Sequence, residues 1–205
     1  IKSYCDITLK RERSAEEYRE TVEVVDETVA RMSALVEKIL DVARLESGGM
    51  AFKSEPLDLA RVVKSVYKLI APIAGEKEVA MTLNGADHSM ELAGDEDRLS
   101  ELFMNLIENG VKYNRKGGMV EITCAESNDW IEVSVADTGA GIPEEDLGKI
   151  FNRFYRVDTS RSEITGSGLG LSVVKAITEA HGGRLDVESE YGKGSRFTVY
   201  LPKKV

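Results

Sequence analysis

The chain has 205 residues, of which 42% are hydrophobic and 31% charged, so it can form one substantial core with a helical appendage. Its formal net charge of -9 argues against a nucleic-acid surface, because binding to a phosphate backbone requires a basic face. No apolar run reaches membrane-spanning length. The two cysteines, Cys5 and Cys124, have neither metal-ligand nor disulfide spacing, and this cysteine usage favours a reducing compartment.

The first 46 residues have the pattern of a helical hairpin. Residues 1–12 are predicted to end one helix, and a turn at Arg13-Ser14 returns the chain into a second helix over 15–46. Ser14 and Glu17 stand three residues apart, as in a capping box. The apolar residues then alternate at spacings of four and three: Tyr18, Val22, Val25, Val29, Met32, Val36, Ile39 and Ala43. We expect this seam to pair with a second copy in a homodimeric four-helix bundle, because a lone helix would leave it in water.

The run Ser47-Gly48-Gly49 ends the long helix and divides the chain into predicted domains 1–48 and 49–205. The second domain alternates between helix and strand patterns. Its helices are predicted over Leu57–Ala74 (capped by Asp58), Asp95–Lys112 (capped by Asp95) and Leu169–His181. Its strands are predicted at Val79–Leu83, Met90–Ala93, Met119–Ala125, Trp130–Ala136, Arg184–Ser189 and Arg196–Leu201. Residues 138–167 form a long irregular stretch, typical of a lid or binding loop. We therefore expect an α+β fold with helices over one face of a mixed sheet.

Three polar residues, Asn105, Asn109 and Lys112, recur at helical spacing and so share one face. Amide oxygens can coordinate Mg²⁺ beside phosphate oxygens, and a lysine can neutralise phosphate. A polar helix edge would give the same pattern, so this motif alone leaves both readings open. Asp137 ends a predicted strand, where its carboxylate could accept a hydrogen bond from an exocyclic amine or cap the turn at Thr138-Gly139.

Glycine motifs accompany these residues along the chain. Gly139 and Gly141 follow Asp137, and the run Gly166-Ser167-Gly168-Leu169-Gly170-Leu171 opens the last predicted helix. Free backbone N–H groups and the helix dipole could hold an anion there. A Walker loop is absent, and a Rossmann fingerprint would follow a strand directly. In the long loop, Arg153 and Arg156 could reach a terminal phosphate while neighbouring aromatic residues anchor the loop by a small hydrophobic cluster.

In this order the motifs resemble the catalytic core of bacterial sensor histidine kinases, within the GHKL ATPase superfamily. The matching segments are Asn105–Asn114 (N box), Asp137–Ile142 (G1 box), Phe151–Tyr155 (F box), Gly166–Leu171 (G2 box) and Gly192–Ser195 (the last glycine motif). Gly110 departs mildly from the alanine usual in the family. The resemblance implies a Bergerat fold, a two-layer α/β sandwich that binds ATP with Mg²⁺ under a lid at 142–167.

The same resemblance implies roles for individual residues. Asn109 and Asn105 would hold the metal, Lys112 would approach the phosphates, Tyr113 would flank the adenine, and Asp137 would accept from the adenine amino group. The full implied ATP site consists of Asn105, Asn109, Lys112, Tyr113, Asp137, Gly139, Gly141, Ile142, Arg153, Phe154, Arg156, Gly166, Ser167, Gly168, Leu169, Gly170 and Leu171.

Residues 1–46 resemble the dimerisation and histidine-phosphotransfer hairpin of these kinases. The resemblance places the phosphoacceptor histidine about two to three helical turns before Ile1, so we expect no catalytic histidine here and no autophosphorylation by these residues. His88 and His181 are predicted to be a solvated turn residue and a helix-cap residue.

The implied partners are a second copy and a response-regulator receiver domain, with no nucleic acid. The implied location is the cytoplasmic portion of a longer protein, for which an anchor in the bacterial inner membrane is one option. One alternative is a GHKL ATPase of another kind, but Asn105 stands where those enzymes have a glutamate base. The other alternative is a nucleotide-binding module without kinase activity.

Overall fold

The computed structural model describes residues 2–46, 53–157 and 167–203. Contacts divide the chain into two compact units, 1–43 and 44–205. Within the described ranges, none of the helices combines the length and the apolar character that crossing a bilayer requires.

The first unit is a helical hairpin, as predicted. Helix α1 runs Lys2–Leu9, and helix α2 runs Ala15–Glu46. The predicted capping box begins α2, because the Ser14 N–H donates to the Glu17 carboxylate at 2.9 Å and the Glu17 N–H donates to Ser14 Oγ at 3.1 Å. Buried Thr8 faces α2, with its Oγ1 3.2 Å from that of Thr21. The predicted helix end at 47–49 lies outside the described residues.

The second unit mixes helices and strands. Its helices are α3 (Leu59–Glu76), α4 (Glu96–Lys112), α5 (Glu144–Leu147) and α6 (Gly170–Ala180). Its strands are β1 (Glu55–Asp58), β2 (Ala80–Asn84), β3 (Glu91–Gly94), β4 (Met119–Glu126), β5 (Trp130–Asp137), β6 (Arg184–Glu190) and β7 (Gly194–Pro202). Five strands form one sheet in the order β2-β4-β5-β7-β6, in which only the β2–β4 pair is parallel. Strands β1 and β3 form a separate antiparallel pair.

Three helices pack on this sheet to give two layers. Helix α3 contacts β2, α4 contacts β4 and β5, and α6 contacts β6 and β7. Alternate strand residues, such as Val120 and Ile122 of β4, are buried, as are Phe103 and Ile107 of α4, the helix that contacts this strand. The architecture confirms the predicted α+β class with a mixed sheet.

The start of α3 confirms the predicted cap at Asp58. Asp58 is the N-cap and the helix begins at Leu59, two residues after the amphipathic pattern starts at Leu57. The reason is that Asp58 Oδ1 accepts from the Ala60 N–H at 3.1 Å and from the Met90 N–H at 2.9 Å, which keeps residues 55–58 extended beside β3.

The pattern predicts that α3 stops near Pro72 and Gly75, and the helix runs through Pro72 to Glu76, one residue past Gly75. Proline removes one backbone hydrogen bond, while Ile70 and Ala74 on either side of it remain buried and hold the last turns in place. The stretch predicted to be irregular over 138–167 contains the short helix α5.

Candidate functional site

The predicted amides lie on the C-terminal half of α4. The side-chain nitrogen of Asn105 donates to the Glu101 carbonyl at 2.8 Å, which fixes the orientation of the Asn105 amide. A Cβ placed on Gly170 would lie 2.9 Å from Asn105 Oδ1 and 3.7 Å from Asn109 Nδ2. The first residue of α6 therefore lies against both amides.

The start of α6 has the character of an anion site. Its N-cap residue is Leu169, which makes no side-chain capping hydrogen bond to the first turn. The positive end of the helix dipole, at the first-turn N–H groups, therefore lies beside the amides of α4. Leu169 itself is 1% exposed and packs in the core, so its predicted role can involve only the backbone. Ser167 Oγ accepts from the Leu169 N–H at 3.4 Å.

Lys112, at the end of α4, lies near two other cationic side chains, those of Arg156 and Lys77. Its Nζ lies 5.4 Å from the centre of the Tyr113 ring. Burial, followed by the nearby charges of Arg156 and Lys77, lowers the pKa of Lys112. An anion placed among these cations would relieve their repulsion. Lys77, at the end of α3, was not predicted, and no motif in the sequence marks it.

Asp137 ends β5, where a backbone donor and the first residue of β7 lie against it. The Gly139 N–H donates to its Oδ1 at 2.7 Å, and a Cβ on Gly194 would collide with the Asp137 carbonyl oxygen. Burial raises the pKa of Asp137 above its usual value, although the backbone N–H groups of Gly139 and Ser195 act in the opposite direction. The next residues pack on α4, since the Ala140 N–H donates to the Tyr113 carbonyl at 3.1 Å. Asp137 and Tyr113, predicted to bind the same base, are therefore neighbours.

The F box and the G2 box are also in contact. The Phe154 N–H donates to the Gly168 carbonyl at 2.9 Å, and a Cβ on Gly168 would lie 2.7 Å from the Phe154 carbonyl carbon. Phe154 has φ = 63° and its side chain is 57% exposed. A non-glycine residue held in the left-handed region costs conformational energy, and such residues cluster at functional sites. The Tyr155 hydroxyl donates to Asp146 Oδ1 at 2.6 Å and joins this segment to α5.

The remaining predicted residues lie in or beside these segments. Gly141 and Ile142 follow the G1 turn and contact the β6–β7 hairpin. Arg153 and Leu171 are half-buried in the F box and in α6, respectively. Gly166 lies outside the described residues.

Neither histidine belongs to this group. His181 is 3% exposed; its Nδ1 lies 2.8 Å from the Ile177 carbonyl, and its Nε2 accepts from the Asp95 N–H at 3.1 Å. These two bonds define a neutral ring with the proton on Nδ1. His88 is exposed, with Nε2 3.6 Å from a Glu126 carboxylate oxygen.

Asn114 is a structural residue of the site that was not among the predicted ligands. Its side-chain nitrogen donates to the Gly110 carbonyl at 3.1 Å and to the Met119 carbonyl at 2.9 Å. Its Oδ1 accepts from the Arg115 N–H at 3.0 Å and from Thr138 Oγ1 at 3.3 Å. The amide thus uses all four of its hydrogen-bonding positions to join α4, β4 and the G1 turn. The signal that the sequence offers is its place as the last residue of the N box, next to Tyr113.

Two family models match the chain. The model described as histidine kinase-, DNA gyrase B-, and HSP90-like ATPase matches residues 94–205. The model described as His Kinase A (phospho-acceptor) domain matches residues 1–48. The first match contains every predicted ATP-site residue, and the second contains the described hairpin.

Individual proteins show the same similarity. Sensor protein SrrB of Staphylococcus aureus strain N315 is 35% identical over 189 residues, which cover 92% of this chain and 32% of SrrB. The crystal structure of full-length ShkA in complex with AMPPNP has a TM-score of 0.78 and 28% identity, covering 94% of this chain and 40% of ShkA. The nucleotide-free catalytic domain of histidine kinase ThkA has a TM-score of 0.66 and 26% identity, covering 76% of this chain and 100% of that domain. The chain therefore spans about a third of the length of SrrB.

Proposed function

Because the chain belongs to the family of histidine kinase-, DNA gyrase B-, and HSP90-like ATPases, we propose that its second unit binds ATP with Mg²⁺ and transfers the γ-phosphoryl group to a histidine. The observation that carries this proposal is the contact of Asn105 and Asn109 with the start of α6 at Gly170. The side-chain oxygen of Asn105, the side-chain amide of Asn109 and the first turn of α6 meet there, which suits a metal-bridged polyphosphate. The ShkA complex with AMPPNP supports nucleotide binding by this fold.

The residues at this point fit a magnesium nucleotide. Asn109 and Asn105 would hold Mg²⁺ through their side-chain oxygens, since the Asn105 nitrogen is already committed to the Glu101 carbonyl. The metal would supply charge neutralisation for the phosphates. Lys112, Arg156 and the first turn of α6 would hold the phosphate oxygens in position, which is the main requirement of phosphoryl transfer.

The base would lie between Asp137 and Tyr113. An ionised Asp137 accepts hydrogen bonds only, so it selects a base that presents an amino group, as adenine does. The Gly139 N–H group fixes the direction of the carboxylate before the base arrives. The aromatic ring of Tyr113 offers a flat apolar face beside it.

Transfer to histidine is favoured over hydrolysis by the chemistry of position 105. A carboxamide cannot take a proton from an attacking water, whereas a carboxylate at this place could act as a base. The acceptor is neither His181, whose ring is buried with both nitrogens hydrogen-bonded, nor His88, which lies between β2 and β3, outside the part of the chain that matches the phospho-acceptor domain. We infer that the acceptor lies outside these 205 residues, in the same phosphotransfer hairpin that the second family model describes.

The exposed apolar stripe of α2 supports dimerisation through the hairpin. Its exposed residues are Tyr18, Val22, Val29, Met32, Val36 and Leu40. Pairing with a second copy would remove this stripe from water, in the arrangement expected of a four-helix bundle. A response-regulator receiver domain would then take the phosphoryl group from the histidine. The need for ATP and the unpaired cysteines Cys5 and Cys124 favour the cytoplasm as the place of reaction.

The decisive experiment replaces one proposed metal ligand. Titration calorimetry with ATP and Mg²⁺ should show binding to the wild-type chain and at least a tenfold weaker affinity for Asn109→Ala, which lacks a metal ligand. Asn128→Ala, in the exposed turn between β4 and β5, is the matched control and should bind as the wild type does. Equal affinities for the Asn109→Ala and Asn128→Ala variants would refute the metal assignment, and no binding by the wild type would refute the proposed function.

A further inference from the structure

Ser189 near the end of β6 makes an unusual set of contacts for a serine that no site motif includes. Its Oγ lies 2.8 Å from the Ile142 nitrogen, 2.9 Å from the Gly194 carbonyl oxygen and 2.9 Å from Ser195 Oγ. These partners belong to two different segments. Ile142 begins the loop that leads into α5, and Gly194-Ser195 begin β7.

The directions of these hydrogen bonds follow from counting protons. A hydroxyl has one hydrogen and two lone pairs. The Gly194 carbonyl can only accept, so the Ser189 hydrogen is directed to it. The Ile142 N–H then fills one lone pair of Ser189, and the Ser195 hydroxyl donates to the other. In this arrangement every hydrogen-bonding position of the Ser189 hydroxyl is used.

The two segments meet closely along their backbones as well. Gly141 has φ = 66°, and a Cβ there would collide with the Glu190 carbonyl oxygen. The Gly192 N–H donates to the Ala140 carbonyl at 2.7 Å. The β6–β7 hairpin thus lies directly on the loop 138–142, with the Ser189 side chain bridging the two.

One of these partners leads directly to the proposed base pocket. The carbonyl that accepts from Ser189 belongs to Gly194, whose backbone lies directly on that of Asp137, since a Cβ on Gly194 would collide with the Asp137 carbonyl oxygen. Ser195, which donates its hydroxyl to Ser189, is the next residue along β7. The other partner, Ile142, is the first residue of the segment that continues to α5 and the F box. A single hydroxyl therefore fixes both a wall of the base pocket and the first residue of the loop beyond it.

We propose that Ser189 is a positioning residue that couples the base pocket at Asp137 to the segment beginning at Ile142. The inference rests on the proposed nucleotide site and adds a residue to it. Without this hydroxyl, the Ile142 N–H and the Gly194 carbonyl lose a partner, and Ser195 can rotate away from its present position. Nucleotide binding then has to order both segments, which weakens affinity.

The test compares Ser189→Ala, Ser189→Thr and Ser134→Ala. Threonine keeps the hydroxyl and suits a strand, so it should restore function. Ser134 is the matched control, because it is a buried serine of β5, which β7 separates from β6 in the sheet, and its hydroxyl accepts from the Arg196 side chain at 3.3 Å. Calorimetric affinities for ADP and AMPPNP are measured, together with hydrogen exchange of the Ile142 amide without nucleotide.

We expect Ser189→Ala to bind both nucleotides about tenfold more weakly, with faster exchange at Ile142. Ser189→Thr and Ser134→Ala should stay within about twofold of the wild type in affinity. Unchanged affinity and unchanged Ile142 exchange in Ser189→Ala would overturn the inference while leaving the proposed function intact, as would failure of threonine to restore binding. Absence of binding by the wild type would instead refute the proposed function and with it the role assigned to Ser189 there.

Discussion

Replacing Asn114 should separate the contribution of its hydrogen bonds from that of the surrounding packing. Its amide joins the Gly110 and Met119 carbonyls to the Arg115 N–H and the Thr138 hydroxyl, over distances of 2.9 to 3.3 Å. Each such bond contributes about 1 kcal/mol net. Water can replace part of the set because Asn114 is only half-buried, so we expect Asn114→Ala to lose about 2 kcal/mol of unfolding free energy.

This loss should be visible in both chemical and thermal unfolding. For a chain of this size, about 2 kcal/mol corresponds to a midpoint lower by roughly 4–8 °C. Trp130, the single tryptophan, lies in β5 and reports the unfolding of this unit by its fluorescence in urea. Asn114→Asp preserves the shape and both acceptor positions but presents a carboxylate to two carbonyls, so it should be at least as destabilising.

Asn128→Ala, in an exposed turn, should change the unfolding free energy by less than about 0.5 kcal/mol. If Asn114→Ala is no more destabilising than Asn128→Ala, the four hydrogen bonds contribute nothing net and the reasoning is wrong. A destabilised Asn114→Ala with unaltered Asn114→Asp would show instead that side-chain volume, rather than donation to the two carbonyls, is what matters.

Two further predictions concern pH. Because burial raises the pKa of Asp137, its carboxylate should protonate at a higher pH than an ordinary aspartate. As the pH is lowered, the affinity for ADP should therefore begin to fall at a higher pH than the titration of an ordinary aspartate would give. Calorimetry across acidic pH should show this decline in the wild type, whereas Asp137→Asn should bind weakly with a flat profile; a parallel decline in both would contradict the role of this carboxylate. Because burial lowers the pKa of His181 below 6.5, the unfolded chain takes up a proton that the folded chain does not, and stability should decrease as pH falls through 6.5 towards the folded pKa. The urea unfolding midpoint should no longer depend on pH in this range in His181→Gln, but should still do so in His88→Gln. Loss of the pH dependence in both variants, or in neither, would refute its assignment to His181.

Local features of the fold were predictable because their causes lie within a few residues. The capping box of Ser14 and Glu17 has its two bonds inside one turn of helix. The N-cap at Asp95 likewise accepts from the N–H of Arg98 three residues on. Strand alternation in β4 and β5 reflects burial of every second residue. In each case the sequence window contains both interacting groups.

Features that depend on distant partners could not be predicted in this way. The extended residues before α3 are fixed by Asp58 bonding to Met90, 32 positions away. Ser189 acquires its role from Ile142, 47 positions away, and has no motif around it. Lys77 approaches Lys112 only because α3 and α4 pack side by side. The glycine and asparagine motifs indicated where the site lies, whereas the groups that support it come from packing.

The proposed site contains few groups that could take part in proton transfer, and this has a consequence for the reaction. The side chains that would face the metal are the neutral amides of Asn105 and Asn109, and the groups that would face the phosphates are backbone N–H donors and the cation of Lys112. Such groups can position and neutralise phosphates, but none can activate a water molecule. An imidazole nucleophile supplies its own lone pair, so the proposed transfer would be governed by delivery of a histidine to the nucleotide. Rate control would then belong to the hairpin that presents the histidine, which is where a signal received elsewhere in a longer protein could act.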